Sequence, residues 1–182
     1  MVGGVNYPFW ERNITWIAWL ELTLGPSPVY VSPMTTSCIF CRIVGGEVPA
    51  EVVARESEVV AFLDVQPLAD GHVLIVPRAH VAAVEELEPA DAAALFQTVL
   101  RLAGPVREAL GAAGTTIGIN NGAATGQTIP HVHVHIVPCW PDDGAGSIHT
   151  IFPRRTRRPL GEVGAAIRDF IDTRDAGGVR LP

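Results

Sequence analysis

The chain has 182 residues, 48% hydrophobic and 18% charged, with a formal net charge of −6. That length and composition suit one domain with extensions, or at most two small ones, and exclude global disorder. The acidic balance argues against a general nucleic-acid coat, and three cysteines are too few for a secreted fold built on disulfides.

Residues 1–33 differ in character from the rest of the chain. Trp10, Trp16 and Trp19 are three of the four tryptophans, and Pro26, Pro28 and Pro33 punctuate the end. One reading is an interfacial or partner-binding segment, although the basic face that normally accompanies such a role is lacking. The reading we favour places the natural start at Met34. Glu11 and Arg12 precede the apolar part, so no cleavable signal peptide is expected. The apolar run from Ile14 to Leu24 is interrupted by Glu21 and is far shorter than the ~20 residues needed to cross a bilayer. No membrane association is expected, and a soluble cytoplasmic protein is the default.

Cys38-Ile39-Phe40-Cys41 opens the compact part, residues 34–140, and leads into a short helix ending at Gly45-Gly46. Residues 51–55 and 58–63 read as two short strands joined by a tight turn around Glu56-Ser57. Asp64 closes the second. After the turn Pro67-Leu68-Ala69-Asp70-Gly71 comes an apolar strand, His72 to Pro77, followed by Arg78-Ala79-His80. Pro89 opens a helix, since proline suits the first helical position. Leu95, Val99, Leu102, Val106 and Leu110 recur at helical spacing, with a bend expected at Gly104-Pro105. Thr115 to Asn120 reads as a strand leading into the small-residue loop Gly122 to Thr128. Strands, a helix and more strands without regular alternation indicate an α+β fold with an antiparallel sheet.

The stretch His131-Val132-His133-Val134-His135-Ile136 alternates with a period of two, which puts three imidazoles on one face of a strand and the aliphatic side chains on the other. Three buried histidines without partners would cost too much. A metal site is a second reading, because alternate residues lie about 6.6 Å apart and two imidazoles can meet one ion. The outer pair is about 13 Å apart at the backbone, too far for all three to share it comfortably. A third reading divides the labour: one histidine is a nucleophile and its neighbours bind substrate, with backbone N–H groups of the preceding loop facing an anion. Beyond Pro138, residues 141–182 form a C-terminal extension. It contains an Asp142-to-Gly146 linker, the cluster Arg154, Arg155, Arg157 and Arg158, and an amphipathic helix over 159–174 carrying Val163, Ile167, Phe170 and Ile171. The arginines read as a solvated patch or as a reach toward the far half of an anionic substrate.

Taken together, the histidine run, its leading Gly126-Gln127-Thr128, the upstream Gly71-His72-Val73-Leu74-Ile75-Val76-Pro77 and Cys38-Ile39-Phe40-Cys41 resemble the histidine triad family of nucleotide hydrolases and transferases. The resemblance runs from about Cys38 to Pro138. It implies a five-stranded antiparallel sheet with two helices, a homodimer, and cleavage of purine nucleotides at the α-phosphate through a covalent nucleotidyl-histidine. His133 falls on the nucleophile. His135 and His72 would line the phosphate with Gly126, Gln127 and Thr128, the last delivering a proton to the leaving group. Asp64 would contact ribose and Asn120 the phosphate end.

The chemistry is coherent on its own terms. A neutral imidazole is a good nucleophile near neutral pH once its other nitrogen donates to a carbonyl, and donors around the phosphoryl oxygens stabilise the charge that builds there. A protonated His135 or His72 is expected among those donors. The C-x-x-C pair is a metal half-site, a redox pair or two buried thiols. Zinc-containing relatives imply the first of these, a structural zinc held by Cys38, Cys41, His80 and His131, with no metal needed for the chemical step. Two activities fit equally, on nucleoside phosphoramidates and on dinucleoside polyphosphates. A metal-dependent enzyme using the H-x-H pair and a nucleotide-binding sensor with little turnover are the alternatives from other classes.

Overall fold

The computed structural model describes residues 37–147, 149 and 158–176. The N-terminal segment 1–33, with its tryptophans and Met34, and Arg154, Arg155 and Arg157 lie outside the described residues.

A short helix, α1 (Ile39–Val44), begins directly after Cys38, whose extended backbone occupies the N-cap position. It stops at Gly45-Gly46, where Gly46 takes a φ of 80° that favours glycine. Strands β1 (Val52–Arg55), β2 (Val59–Leu63) and β3 (Val73–Pro77) come next, then the long helix α2 (Pro89–Ala109), β4 (Gly114–Gly118) and β5 (Val134–Cys139). A last helix, α3 (Leu160–Ala176), matches the amphipathic stretch read from the sequence to within two residues. The five strands form one antiparallel sheet in the order β1-β2-β3-β5-β4. This is the α+β architecture expected.

The central strands carry continuous apolar runs because both faces of the sheet are covered. Val59, Ala61, Val73 and Ile75 meet Leu95, Val99 and Leu102 of α2. Their neighbours Val60, Phe62, Leu74 and Val76 meet Phe40, Ile43 and Val44 of α1. Ile75, Leu95 and Ile136 are completely buried, and cutting such a side chain back to alanine costs ~2–5 kcal/mol. The β1–β2 turn is tied to α2 by Glu56, which accepts from the buried Thr98 hydroxyl at 3.1 Å and pairs with Arg101.

Helix α2 runs on through the Gly104-Pro105 pair, with Pro105 on the exposed side. Two details differ from the sequence reading. Strand β4 ends at Gly118, which pairs with His135, so Ile119 and Asn120 leave the sheet. The histidine strand begins only at Val134. His131 and His133 precede the ladder, and Val132 donates instead to the carbonyl of Val81 at 2.8 Å. The alternation of faces nevertheless holds: Val132, Val134 and Ile136 pack toward α2.

Candidate active site and metal centre

The other face of the 131–135 segment carries the imidazoles, and the structure sorts them into two clusters. His131 is fully buried and turns Nδ1 toward the start of α1. That nitrogen lies 3.5 Å from Cys38 Sγ, 3.6 Å from Cys41 Sγ and 3.3 Å from His80 Nδ1, while Cys41 Sγ is 3.2 Å from His80 Nδ1. His131 Nε2 sits 2.9 Å from the carbonyl of Pro77. It donates there, so Nδ1 keeps its lone pair for the cluster. Burial and the proximity of His80 and His133 lower the pKa of His131 to about 4, against the pull of the Pro77 carbonyl, so it is neutral at pH 7.

Donors about 2.3 Å (sulfur) and about 2.05 Å (nitrogen) from one tetrahedral ion lie roughly 3.6 Å apart, and two such nitrogens roughly 3.3 Å apart. The observed separations match, all four donor atoms fall within 4.8 Å of one another, and no disulfide joins the thiols. The donor set, two soft thiols and two imidazoles, fits zinc, and the Pro77 carbonyl supplies the outer contact that fixes a ligating imidazole.

His133, two residues on, faces away from that cluster. Its Nδ1 donates to the carbonyl of His131 at 2.7 Å, which leaves Nε2 as the free lone pair. Phe40 of α1 packs edge-on against it with ring centres 5.1 Å apart. Its ring lies 4.9 Å from that of His135, and His135 stacks on His72 at 5.1 Å. His72 Nε2 and His135 Nδ1 are 2.9 Å apart. Burial lowers His72 despite the carboxylate of Asp64, and burial with the neighbouring His133 and His72 lowers His135 to about 4. That direction runs against the protonated His135 or His72 expected as a donor. In a part-buried cluster of three imidazoles the proton's charge is poorly solvated, and these residues offer neutral N–H groups instead.

The remaining expected residues separate. Asp64 lies beside His72, with Oδ1 accepting the Gln66 N–H at 2.9 Å and Oδ2 3.5 Å from His72 Nδ1. The side chain of Gln127 is engaged at both ends within the fold. It accepts the Gly122 N–H at 2.7 Å and donates to the Ala82 carbonyl at 2.8 Å, pinning the 122–127 loop to the segment after His80. Asn121 makes a second such tie, to the Val84 N–H at 2.9 Å and Glu85 at 2.8 Å. Sequence reasoning singled out Asn120 and missed Asn121, whose polar neighbour gave no signal to choose between them. Gly126 holds a φ of 91° at the end of the loop, which favours glycine. Thr128 is exposed, and neither it nor Asn120 hydrogen-bonds to a described residue.

Asp64, His72 and His135 also present donors within 4.8 Å of one another. The facing nitrogens of the two imidazoles, however, are 2.9 Å apart, the distance of a direct hydrogen bond. His131 and His133 do not converge as an H-x-H pair, because they direct their Nδ1 atoms to a thiol pair and to a carbonyl respectively.

Residues 45–141 match the HIT domain family, more than half of the chain. The chain belongs to this family. It is 42% identical to an uncharacterized HIT-like protein of Methanocaldococcus jannaschii over 107 residues, 59% of this chain and 82% of that one. An adenosine 5'-monophosphoramidase of Schizosaccharomyces pombe is 38% identical over 56% of this chain and 74% of its own. An adenylylsulfatase of Arabidopsis thaliana is 36% identical over 63% of this chain, although the match spans only 58% of that longer protein. Among solved structures, a HIT family protein from Bacillus subtilis superposes with a TM-score of 0.66 at 30% identity, over 73% of this chain and 96% of that one. A zinc-bound histidine triad family protein from Mycobacterium smegmatis gives 0.57 at 31% identity, over 78% and 97%. Among the described residues no helix is long and apolar enough to cross a membrane.

Proposed function

We propose that this HIT protein is a nucleotide hydrolase that cleaves adenylated small molecules at the α-phosphate through a nucleotidyl-histidine on His133. The observation that carries the reading is the pairing of a free Nε2 lone pair on His133, fixed by the His131 carbonyl, with a buried, unpartnered His135 Nε2 beside it. Nucleophilic attack forms the Nε2–P bond as the bond from phosphorus to the leaving group breaks. Thr128, which is exposed, would deliver the proton that the leaving group takes. Water then cleaves the Nε2–P bond, and nucleoside monophosphate departs. His135 serves the phosphoryl oxygens as a hydrogen-bond donor, Asp64 the ribose, and Gly126 and Asn120 the phosphate end, while Gln127 shapes the loop.

Neutral donors suit a substrate with a single phosphoryl group near the nucleophile, as the names of the phosphoramidase and adenylylsulfatase relatives suggest for those proteins. A phosphoramidate is therefore the leading substrate and a dinucleoside polyphosphate the second. Cys38, Cys41, His80 and His131 would hold a structural zinc, which knits α1 to the residue that orients the nucleophile. We further propose a homodimer, since β4 is an edge strand with Ile117 exposed and α2 exposes Phe96 and Leu100.

Incubation with an adenosine phosphoramidate, followed by rapid quench, is expected to trap an acid-labile nucleotide adduct that is absent in His133→Ala. Turnover without an adduct, or activity lost with a chelator and restored by iron, would instead support a metal-dependent enzyme. Tight nucleotide binding with no turnover of either substrate would support a sensor.

A further inference from the structure

We infer that His72 is a positioning residue: a one-way hydrogen-bond chain starting at the backbone N–H of Leu68 passes through it and fixes His135 in the tautomer that carries its proton on Nε2. The inference rests on the proposed role of His135 as a donor to the phosphoryl group. Its starting point is a group whose direction is not negotiable. A backbone N–H only donates, and that of Leu68 lies 3.2 Å from His72 Nδ1. His72 Nδ1 is therefore the acceptor, and the ring's proton sits on Nε2. That atom is 2.9 Å from His135 Nδ1, which must accept in turn. The proton of His135 is thereby placed on Nε2, the nitrogen that is buried and has no partner. A buried N–H without an acceptor is costly, so a substrate oxygen arriving there restores what the apo site lacks.

The chain has a competitor. Asp64 Oδ2 lies 3.5 Å from the same His72 Nδ1 and would favour a proton there, which would reverse both rings. Distance sets the balance against it, since the 3.5 Å approach is longer than the 3.2 Å hydrogen bond from Leu68, and the turn holds that N–H in place. Asp64 Oδ1 is held by the Gln66 N–H at 2.9 Å, and the 64–72 turn is closed by backbone bonds from Asp64 to His72 and from His72 to Ala69. The turn also depends on Gly71, whose φ of 79° favours glycine and against which Leu110 packs so closely that a Cβ would collide with it. A turn closed by its own backbone bonds thus aims one N–H at the buried His72, and two stacked imidazoles pass that direction on to the substrate side.

Nitrogen-detected NMR of the full-length protein near pH 7 is expected to show the Nε2–H tautomer for both His72 and His135. In Leu68→Pro, which removes the N–H, both rings should lose that single tautomer. Leu68→Ala serves as the control for the turn, because that side chain is 78% exposed. Turnover of an adenosine phosphoramidate should fall about 10²-fold in His72→Leu and recover most of that loss in His72→Gln, which can still offer an N–H to His135. An Nδ1–H tautomer or an imidazolium at His135, unchanged tautomers in Leu68→Pro with an intact fold, or equal losses in the leucine and glutamine variants would each overturn the inference. If no nucleotide substrate is turned over while the tautomers are as stated, the nucleotidyl reading fails and the hydrogen-bond chain stands.

Discussion

The 131–135 segment feeds two clusters of imidazoles that are only two residues apart and do opposite things with the same side chain. Around His131 the rings meet two thiols, and each donor atom points inward to a common centre. Around His133 and His135 the rings meet each other, a backbone N–H and a carbonyl, and one nitrogen of each ring is left without a protein partner. Imidazole has two nitrogens that cannot both be acceptors and both donors at once. Whatever fixes one nitrogen therefore decides whether the other becomes a ligand, a nucleophile or a donor. The Pro77 carbonyl makes His131 a ligand through Nδ1, and the His131 carbonyl makes His133 a nucleophile through Nε2. One residue thus belongs to both clusters, its ring to the first and its backbone to the second.

That division can be broken at several points. The largest effect is expected from His133→Ala, which should reduce turnover on the order of 10⁴-fold or more while leaving the unfolding midpoint near that of the parent; a large loss of stability with residual activity would put His133 in the structural cluster instead. Next comes metal removal. Chelation or Cys41→Ser should release one zinc per chain, read by elemental analysis, and lower stability by ~4 kcal/mol or more. A midpoint indifferent to chelator would leave the inner cluster as four hydrogen-bonded side chains. Phe40 touches both clusters, with its ring centre 6.0 Å from His131 and 5.1 Å from His133. Phe40→Ala should cost ~3–5 kcal/mol and impair turnover together, whereas loss of stability alone would show that the two clusters are mechanically independent.

Acid sharpens the contrast within the outer cluster. His135 is lowered to about 4 from an ordinary 6.5, and His72 is lowered in the same direction. Between those two values the unfolded chain binds protons that the folded site refuses, so stability falls as pH drops through about 6.5 toward about 4. Above the window neither state is charged and the contribution vanishes. Urea midpoints at several pH values should therefore decline less steeply in His135→Asn than in the parent, and parallel declines would show that His135 does not take part. The smallest effect belongs to Gln127→Ala, expected to cost about 1–2 kcal/mol through the lost ties to Gly122 and Ala82, with a modest fall in turnover. A change confined to substrate KM would return Gln127 to the phosphate.

Much of this was legible in the residue pattern. Alternation of histidine with valine forced the imidazoles to one side of an extended segment, because a β conformation turns successive side chains to opposite faces. The valines then had to face the core, and they pack toward α2. The apolar runs on β2 and β3 were legible as strands, whereas their cover on both faces, by α1 and α2, appeared only in the fold. Less legible were the ends of elements. The histidine strand starts late because Val132 finds its backbone partner in Val81 rather than in the ladder, a contact between positions 51 apart in the chain that no local window contains.

The sequence by itself determined which side chains share a face and that cysteine and histidine stand at the spacing of a metal half-site, since covalent geometry and period settle both. Only the tertiary structure decided which nitrogen of each imidazole is free, because that depends on single carbonyls and N–H groups of Pro77, His131 and Leu68 brought within about 3 Å by the folding of distant loops. It also lowered the pKa of His72 and His135, since burial, which a sequence does not display, costs a charged ring more than a neutral one.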